Sequence, residues 1–249
     1  IMSIYRGGGP RLGDQPFPKT FDGWLLDQAR QSGAIVQRAI VRSIQPGPRP
    51  RIVTAQETIE ADLVILATGV NSRPPLDPAW GYRPPRTEIM AQDEIMIPAG
   101  LSDHSVQVYF DHPPGLIFGA LIPKGRYANI SLLGRRLQPG AVGDFLDGNG
   151  VSALLPGGLH RLCGCAPRVA VTAARGYFAD RMVAVGDAAV TRLYKNGMGM
   201  AFITAHAAAQ TAVQRGVSRL DFARGYAPVC RGIAVDNFYG RLLFLLWDA

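Results

Sequence analysis

The chain has few cysteines, few histidines and no block of like charge, and each shortage removes a class of function. Three cysteines in 249 residues cannot staple a disulfide framework. The Cys163-Gly164-Cys165 pair lacks the two-residue spacer of a zinc knuckle or a thioredoxin-type site, so these read as buried or idle thiols in a reducing compartment. His104, His112, His160 and His206 show no metal-ligand spacing, and no metal site is expected. No Gly-x-Ser-x-Gly elbow and no paired carboxylates argue for hydrolase chemistry. No run reaches the ~20 apolar residues of a membrane-spanning helix. Ile1–Tyr5 meets Arg6 and a glycine cluster too soon to read as a signal peptide, and without an initial methionine the sequence is expected to start inside a longer protein. The net charge of +7 is spread along the chain. That distribution speaks against nucleic acid and suits an anionic cofactor or membrane surface.

What is present is an ordinary globular composition, 47% hydrophobic and 18% charged, enough for one large domain or two closely packed ones. Ile1–Tyr5 reads as a strand and Gly7–Pro18 as a loop. A helix follows, with Thr20 as N-cap, Phe21, Trp24, Leu25, Gln28 and Ala29 at helical spacing, and Gly33 as a left-handed stop. Ala34–Ile44 looks like a strand, Arg51–Thr54 and Glu57–Glu60 like a hairpin, and Ala61–Ala67 like a strand buried on both faces. Prolines cluster from Asn71 to Pro85. Beyond them Thr87–Ile97, Ser105–Phe110, Leu116–Ile122 and Tyr127–Leu133 alternate as strands of an antiparallel sheet, joined by turns such as Pro113-Pro114-Gly115 and Lys124-Gly125. Ala141–Leu146 reads as a short helix, Arg168–Thr172 and Arg181–Val185 as strands, and Gly197–Arg215 and most of Leu220–Leu246 as helix. The order is α/β, then antiparallel sheet, then a return to α/β, so one chain passes discontinuously through two domains.

Three segments carry chemistry. Ala61 to Gly69 is an apolar strand ending in Thr68-Gly69, and ligands of open α/β sheets bind at the carboxyl ends of strands, where glycine admits a close approach. Asp180 to Ala189 is a second such strand, ending in Gly186-Asp187. A carboxylate there can accept hydrogen bonds from the hydroxyls of a ribityl or ribose chain, or cap the segment that follows. Third, Asn196-Gly197-Met198-Gly199 leads into a helix carrying Ala201, Ala205, Ala208, Ala209 and Ala212. A glycine-flanked helix start offers unpaired N–H groups and the positive end of the dipole to an electron-rich ligand atom.

These motifs, together with Thr20-Phe21-Asp22-Gly23-Trp24-Leu25-Leu26 before Gly33-Ala34, resemble successive signatures of the geranylgeranyl-reductase-like branch of the flavoprotein monooxygenase superfamily, which shares the p-hydroxybenzoate hydroxylase fold. The resemblance spans most of the chain. It implies a glutathione-reductase-type FAD-binding domain interrupted by an antiparallel-sheet substrate domain, with residues 1–85 and 171–249 in the first and residues 86–170 in the second. By the same resemblance Gly186 and Asp187 would hold the ribityl chain, Asn196, Gly197, Met198 and Gly199 would lie by the isoalloxazine, and Thr68 and Gly69 would approach the adenosine-diphosphate half. Relatives open with a strand and a Gly-x-Gly-x-x-Gly turn. Gly7-Gly8-Gly9 has neither that spacing nor a helix pattern behind it, so the FAD domain is expected to be incomplete here. Phe118 to Gly125 is similar to the aromatic-rich Pro-Lys-Gly turn of geranylgeranyl reductases, but Ala120 stands where relatives and flavin halogenases usually carry tryptophan. That disfavours halogenation.

The expected activity is that of an FAD-dependent oxidoreductase, reducing an isoprenoid-like double bond or hydroxylating a small or lipid-like substrate through bound flavin. NAD(P)H is the candidate electron donor, and no catalytic residue is named. The alternative is a noncatalytic nucleotide-binding or scaffold domain that keeps the fold, while an NAD-dependent dehydrogenase is disfavoured because the Gly-Asp strand end comes so late. The C-terminal run Phe238, Tyr239, Leu242, Leu243, Leu245, Leu246 and Trp247 contains only Arg241 as a charge. It fits a helix packed on the flavin domain, or one lying on a membrane or over a lipid-like substrate. The expected location is cytoplasmic, with peripheral contact at the inner membrane face as the variant.

Overall fold

The computed structural model describes residues 21–70, 74–96, 105–110, 115–124, 127–134, 137–138, 140–148, 166–193 and 196–247. The expected first strand, the Gly7–Pro18 loop, the Thr20 cap, Cys163, Cys165, His104, His112 and His160 lie outside them. The chain divides into two compact units, one within Ile1–Arg38 and Met90–Pro167, the other within Ala39–Ile89 and Arg168–Ala249. The mixed helix-and-sheet class read from the sequence is the one observed.

In the first unit, helix α1 spans Phe21–Gln31. Its end is set by Gly33 at φ +93°. The N–H of Gly33 donates to the Arg30 carbonyl and that of Ala34 to the Ala29 carbonyl, both at 2.9 Å, the paired bonds of a Schellman stop.

The core of this unit is a four-stranded antiparallel sheet. Strands β6 (Ala91–Met96), β7 (Gln107–Tyr109), β8 (Leu116–Lys124) and β9 (Tyr127–Gly134) lie in the order β6-β9-β8-β7. Central β9 is buried along nearly its whole length because its two faces serve different ends. Ala128, Ile130 and Leu132 share a core with Ile95, Leu121 and the Phe145 and Leu146 of helix α2 (Ala141–Gly148). Each leucine, isoleucine or phenylalanine side chain among them, fully buried, is worth about 1.5–3 kcal/mol. Gly119 makes this packing feasible, since a Cβ there would run into the Phe145 ring and reach 3.0 Å from Leu132. The other face of β9 carries Asn129 and Ser131 beside the buried Leu133, with the Ser131 hydroxyl donating to Asn129 Oδ1 at 2.7 Å.

The second unit contains three small sheets. Strands β1 (Val41–Gln45), β2 (Arg51–Thr54) and β3 (Thr58–Glu60) form an antiparallel meander. The strand expected over Ala34–Ile44 is thus shorter and later. Residues 34–40 join no ladder, and Ile35 is 96% exposed. Strand β5 (Thr87–Ile89) pairs with β10 (Arg168–Ala170), so the single strand expected over Thr87–Ile97 is broken at Met90 and its halves belong to different sheets.

The third sheet bears on function. It has the order β11-β12-β4, with β4 at Val64–Leu66, β11 at Phe178–Ala179 and β12 at Met182–Ala184. Strands β12 and β4 run parallel, Met182 opposite Val64 and Ala184 opposite Leu66. Val64 and Leu66 are buried but Ile65 is 49% exposed, so β4 is covered on one face only, unlike the doubly buried strand expected. Helices α3 (Gly197–Gln214), α4 (Arg219–Gly225) and α5 (Ala227–Trp247) complete the unit. Met200, Ala207 and Ala208 of α3 pack with Phe222, Tyr226, Cys230 and Ile233. The close crossing of α3 and α4 needs Gly225, where a Cβ would come within 2.8 Å of the Thr211 methyl.

Candidate functional site

Parallel pairing of β4 and β12 brings two of the sequence motifs to one sheet edge. The Val185 N–H donates to the Leu66 carbonyl at 2.9 Å, the last rung before both strands end. From β4 the chain leaves through Thr68 and Gly69, and from β12 through Gly186 and Asp187. Gly69 and Gly186 both adopt the left-handed region, at φ +63° and +59°, a conformation that glycine enters without steric cost.

After β12 the chain makes a 3-10 turn over Gly186–Ala188. The N–H groups of Ala189 and Val190 both donate to the Gly186 carbonyl, at 2.9 and 3.0 Å. Side chains from elsewhere hold this turn. The Tyr82 hydroxyl donates to the Ala188 carbonyl at 2.8 Å, and burial pushes its pKa up, which keeps it a donor. Tyr226 donates to the Ala184 carbonyl at 2.6 Å. Its pKa too is raised, chiefly by burial. Thr204 accepts the Gly186 N–H at 2.7 Å. Further on, Asn237 of α5 accepts from the Leu193 N–H and donates to the Thr191 carbonyl, both at 2.8 Å, and Arg192 pairs with Asp236 at 2.9 Å.

Within this frame two side chains keep a buried polar atom unpaired among the described residues, the Thr191 hydroxyl and, just past the end of β12, the carboxylate of Asp187. Its Oδ1 is buried and has no hydrogen-bond partner among the described residues. A buried acceptor left unpaired costs about 1–3 kcal/mol, a cost that a hydroxyl-bearing ligand would remove. Beside it begins α3: a Cβ at Gly197 would stand 3.6 Å from Asp187 Oδ1 and 3.8 Å from Oδ2. Asn196, the N-cap, makes no side-chain capping bond. The first main-chain bond of the helix runs from the Met200 N–H to the Asn196 carbonyl at 3.0 Å. The amides of Gly197, Met198 and Gly199 therefore precede that ladder, at the positive end of the helix dipole.

Of the residues singled out from the sequence, Asp187 and Gly197 are neighbours, Asn196 and Gly199 touch, and Thr68 and Gly69 leave the same sheet edge from the adjoining strand. Met198 is 67% exposed. Sequence reasoning missed Tyr82, Thr204 and Asn237, whose partners lie far along the chain. Only Thr204, a polar side chain inside an alanine-rich helix, left a local sign. Among the described residues no group of His, Cys, Asp and Glu could hold a metal ion.

No protein-family model and no curated protein matches the sequence. Solved structures do. A geranylgeranyl bacteriochlorophyll reductase-like protein of Thermoplasma acidophilum aligns with TM-score 0.69 and 18% identity, over 86% of this chain and 59% of its own. The rebeccamycin biosynthetic enzyme RebC, with reduced flavin, aligns with TM-score 0.61 and 17% identity, over 86% of this chain and 45% of its own. CmlS, a flavin-dependent halogenase, aligns with TM-score 0.57 and 21% identity, over 85% of this chain and 42% of its own. The likeness is one of fold, and the chain spans less than two thirds of each of these proteins. The resemblance read from the Gly-Asp and Gly-Met-Gly motifs is borne out at that level: the structures this chain is similar to are geranylgeranyl reductase-like and flavin-dependent proteins.

Proposed function

We propose that the chain is part of an FAD-dependent oxidoreductase and that its second unit holds much of the flavin site. The unpaired, buried Oδ1 of Asp187 beside the start of α3 carries this reading. Asp187 accepts hydrogen bonds from ribityl hydroxyls, which supply the missing donor. Gly186 and Gly197 keep side chains out of the approach, and the amides of Gly197 to Gly199 face an electron-rich edge of the ring system. Thr68 and Gly69 lie toward the adenosine-diphosphate half. FAD, when bound, supplies the redox chemistry, while the protein supplies position, polarity and exclusion of water.

The antiparallel sheet of the first unit is then the substrate side, in a glutathione-reductase-type FAD domain interrupted by it. The molecule it takes is small or lipid-like. The reaction is reduction of an isoprenoid-like double bond or hydroxylation, with NAD(P)H as electron donor. The test is to purify the complete protein as it occurs in its host, record its flavin absorbance and add NAD(P)H. A noncovalent FAD that NAD(P)H bleaches is the expected result. A protein without flavin would overturn the reading, and a flavin that no nicotinamide or chemical reductant bleaches would leave a nucleotide-binding scaffold instead.

A further inference from the structure

We infer that Thr204 is a positioning residue for the Gly186–Asp187 turn: its hydroxyl fixes the Gly186 amide and thereby the aim of the Asp187 carboxylate. This rests on the flavin reading above and adds to it a residue that touches no ligand.

Thr204 is wholly buried on α3, about two turns beyond Gly197. An N–H can only donate, so the bond from Gly186 at 2.7 Å makes the threonine hydroxyl an acceptor there. Its single proton then goes to a carbonyl. That of Met200 lies at 2.7 Å, nearer than that of Ala201 at 3.3 Å. Donor and acceptor capacities are both used, and the orientation of the hydroxyl is fixed by the bonds it makes.

The residue type is not what the helix requires. Threonine is a poor helix former, and back-bonding to a carbonyl four residues earlier mildly disfavours a helix. Ala201, Ala205, Ala207, Ala208 and Ala209 surround it in sequence. The one hydroxyl among them meets the one backbone amide that must be held. Gly186 sits at φ +59°, where a Cβ would come 3.3 Å from the Cβ of Ala201. Turning its amide away from Thr204 would rotate the Val185–Gly186 peptide and with it φ of Gly186, the torsion that sets the direction in which the chain enters Asp187.

The test uses the complete protein with Thr204→Val, which keeps the shape and removes the hydroxyl, and Thr204→Ser, which keeps the hydroxyl. FAD affinity is measured by titrating apoprotein and following flavin fluorescence. Thr204→Val is expected to weaken FAD by about tenfold or more, and Thr204→Ser to stay within about twofold of the wild type. In an Asp187→Ala background the valine substitution is expected to add little, since the residue it aims is gone. A merely structural threonine would show its full penalty in both backgrounds, and that result overturns the inference. So does a Thr204→Val protein that binds FAD like the wild type, or a serine variant that fails to restore affinity. If Thr204→Val cannot be recovered folded, Thr204→Cys carries the same test, because a thiol is a weak acceptor. A wild type that binds no FAD overturns the flavin reading and this inference together. Wild-type binding with unaffected variants overturns this inference alone.

Discussion

The amide oxygen of Asn196 occupies the place that a side chain at Gly199 would need. Gly199 is in the first turn of α3, and Asn196 is the residue that starts the helix. The obstacle is the far end of a short side chain rather than backbone, so it can swing aside at small cost to folding. Gly199→Val is therefore expected to give a soluble protein with a rearranged helix start, and to abolish turnover by pushing the flavin edge away. Activity assays with a circular-dichroism melt check it. Full activity in the variant would remove the Gly197–Gly199 segment from the site.

Asp187 offers a sharper separation between holding the fold and holding the ligand. Its Oδ1 is buried with no donor among the described residues, so removing the carboxylate takes away a cost from the flavin-free protein. Asp187→Ala is expected to leave the urea stability of the apoprotein unchanged or higher. Loss of a charge-assisted hydrogen bond should meanwhile weaken FAD by about 1.5–3 kcal/mol. Equal flavin content and affinity in mutant and wild type would place Asp187 outside the site.

How far the sequence reveals this molecule depends on how local each determinant is. The stop of α1 at Gly33, the paired strands β8 and β9, the Gly-Asp turn and the start of α3 all rest on residues within a few positions of one another. They could be read directly. The break at Met90 could not, because nothing within Thr87–Met96 marks the point at which the strand changes partner from β10 to β9. The exposure of Ile65 was hidden for the same reason: an apolar run shows that a strand can be buried, not how many layers cover it. Asn237 shows the limit most plainly, since it serves Thr191 and Leu193 from over forty positions away and nothing in helix periodicity marks it.

The packing of Cys230 predicts a pH dependence. Burial between α4 and the sheet pushes its thiol up from an ordinary 9.0 to about 11. Neighbouring Tyr177 is pushed up to about 12, chiefly by burial. Folding thus favours the protonated thiol. Its contribution is complete below pH 9, the unfolded value, and is lost as pH rises through 11. Urea midpoints should fall across that window, and Cys230→Ala should flatten the fall there while leaving the tyrosine part at higher pH. Identical pH slopes for mutant and wild type would show that the buried thiol plays no part.

The last expectation concerns the outer face of α5. Cys230 and Ile233 are buried, and Asn237 grips the loop beneath, so these positions mark the inner side of the helix. At 100° per residue, Val235, Phe238, Tyr239, Leu242, Leu243 and Leu246 fall on the opposite side, and their exposures run from 45% to 68%. This is a continuous apolar stripe rather than scattered surface leucines. Among the described residues no helix is long and apolar enough to cross a membrane. Lying in the headgroup region is the geometry that such a stripe allows, and the net charge of +7 favours an anionic surface. The complete protein is therefore expected to float with anionic liposomes. Leu243→Glu with Leu246→Glu should release it while FAD stays bound, because neither residue belongs to the frame around Asp187. If the wild type stays in the soluble fraction at every lipid concentration, the stripe is covered by protein. Leu243→Glu with Leu246→Glu should then lower the thermal midpoint instead.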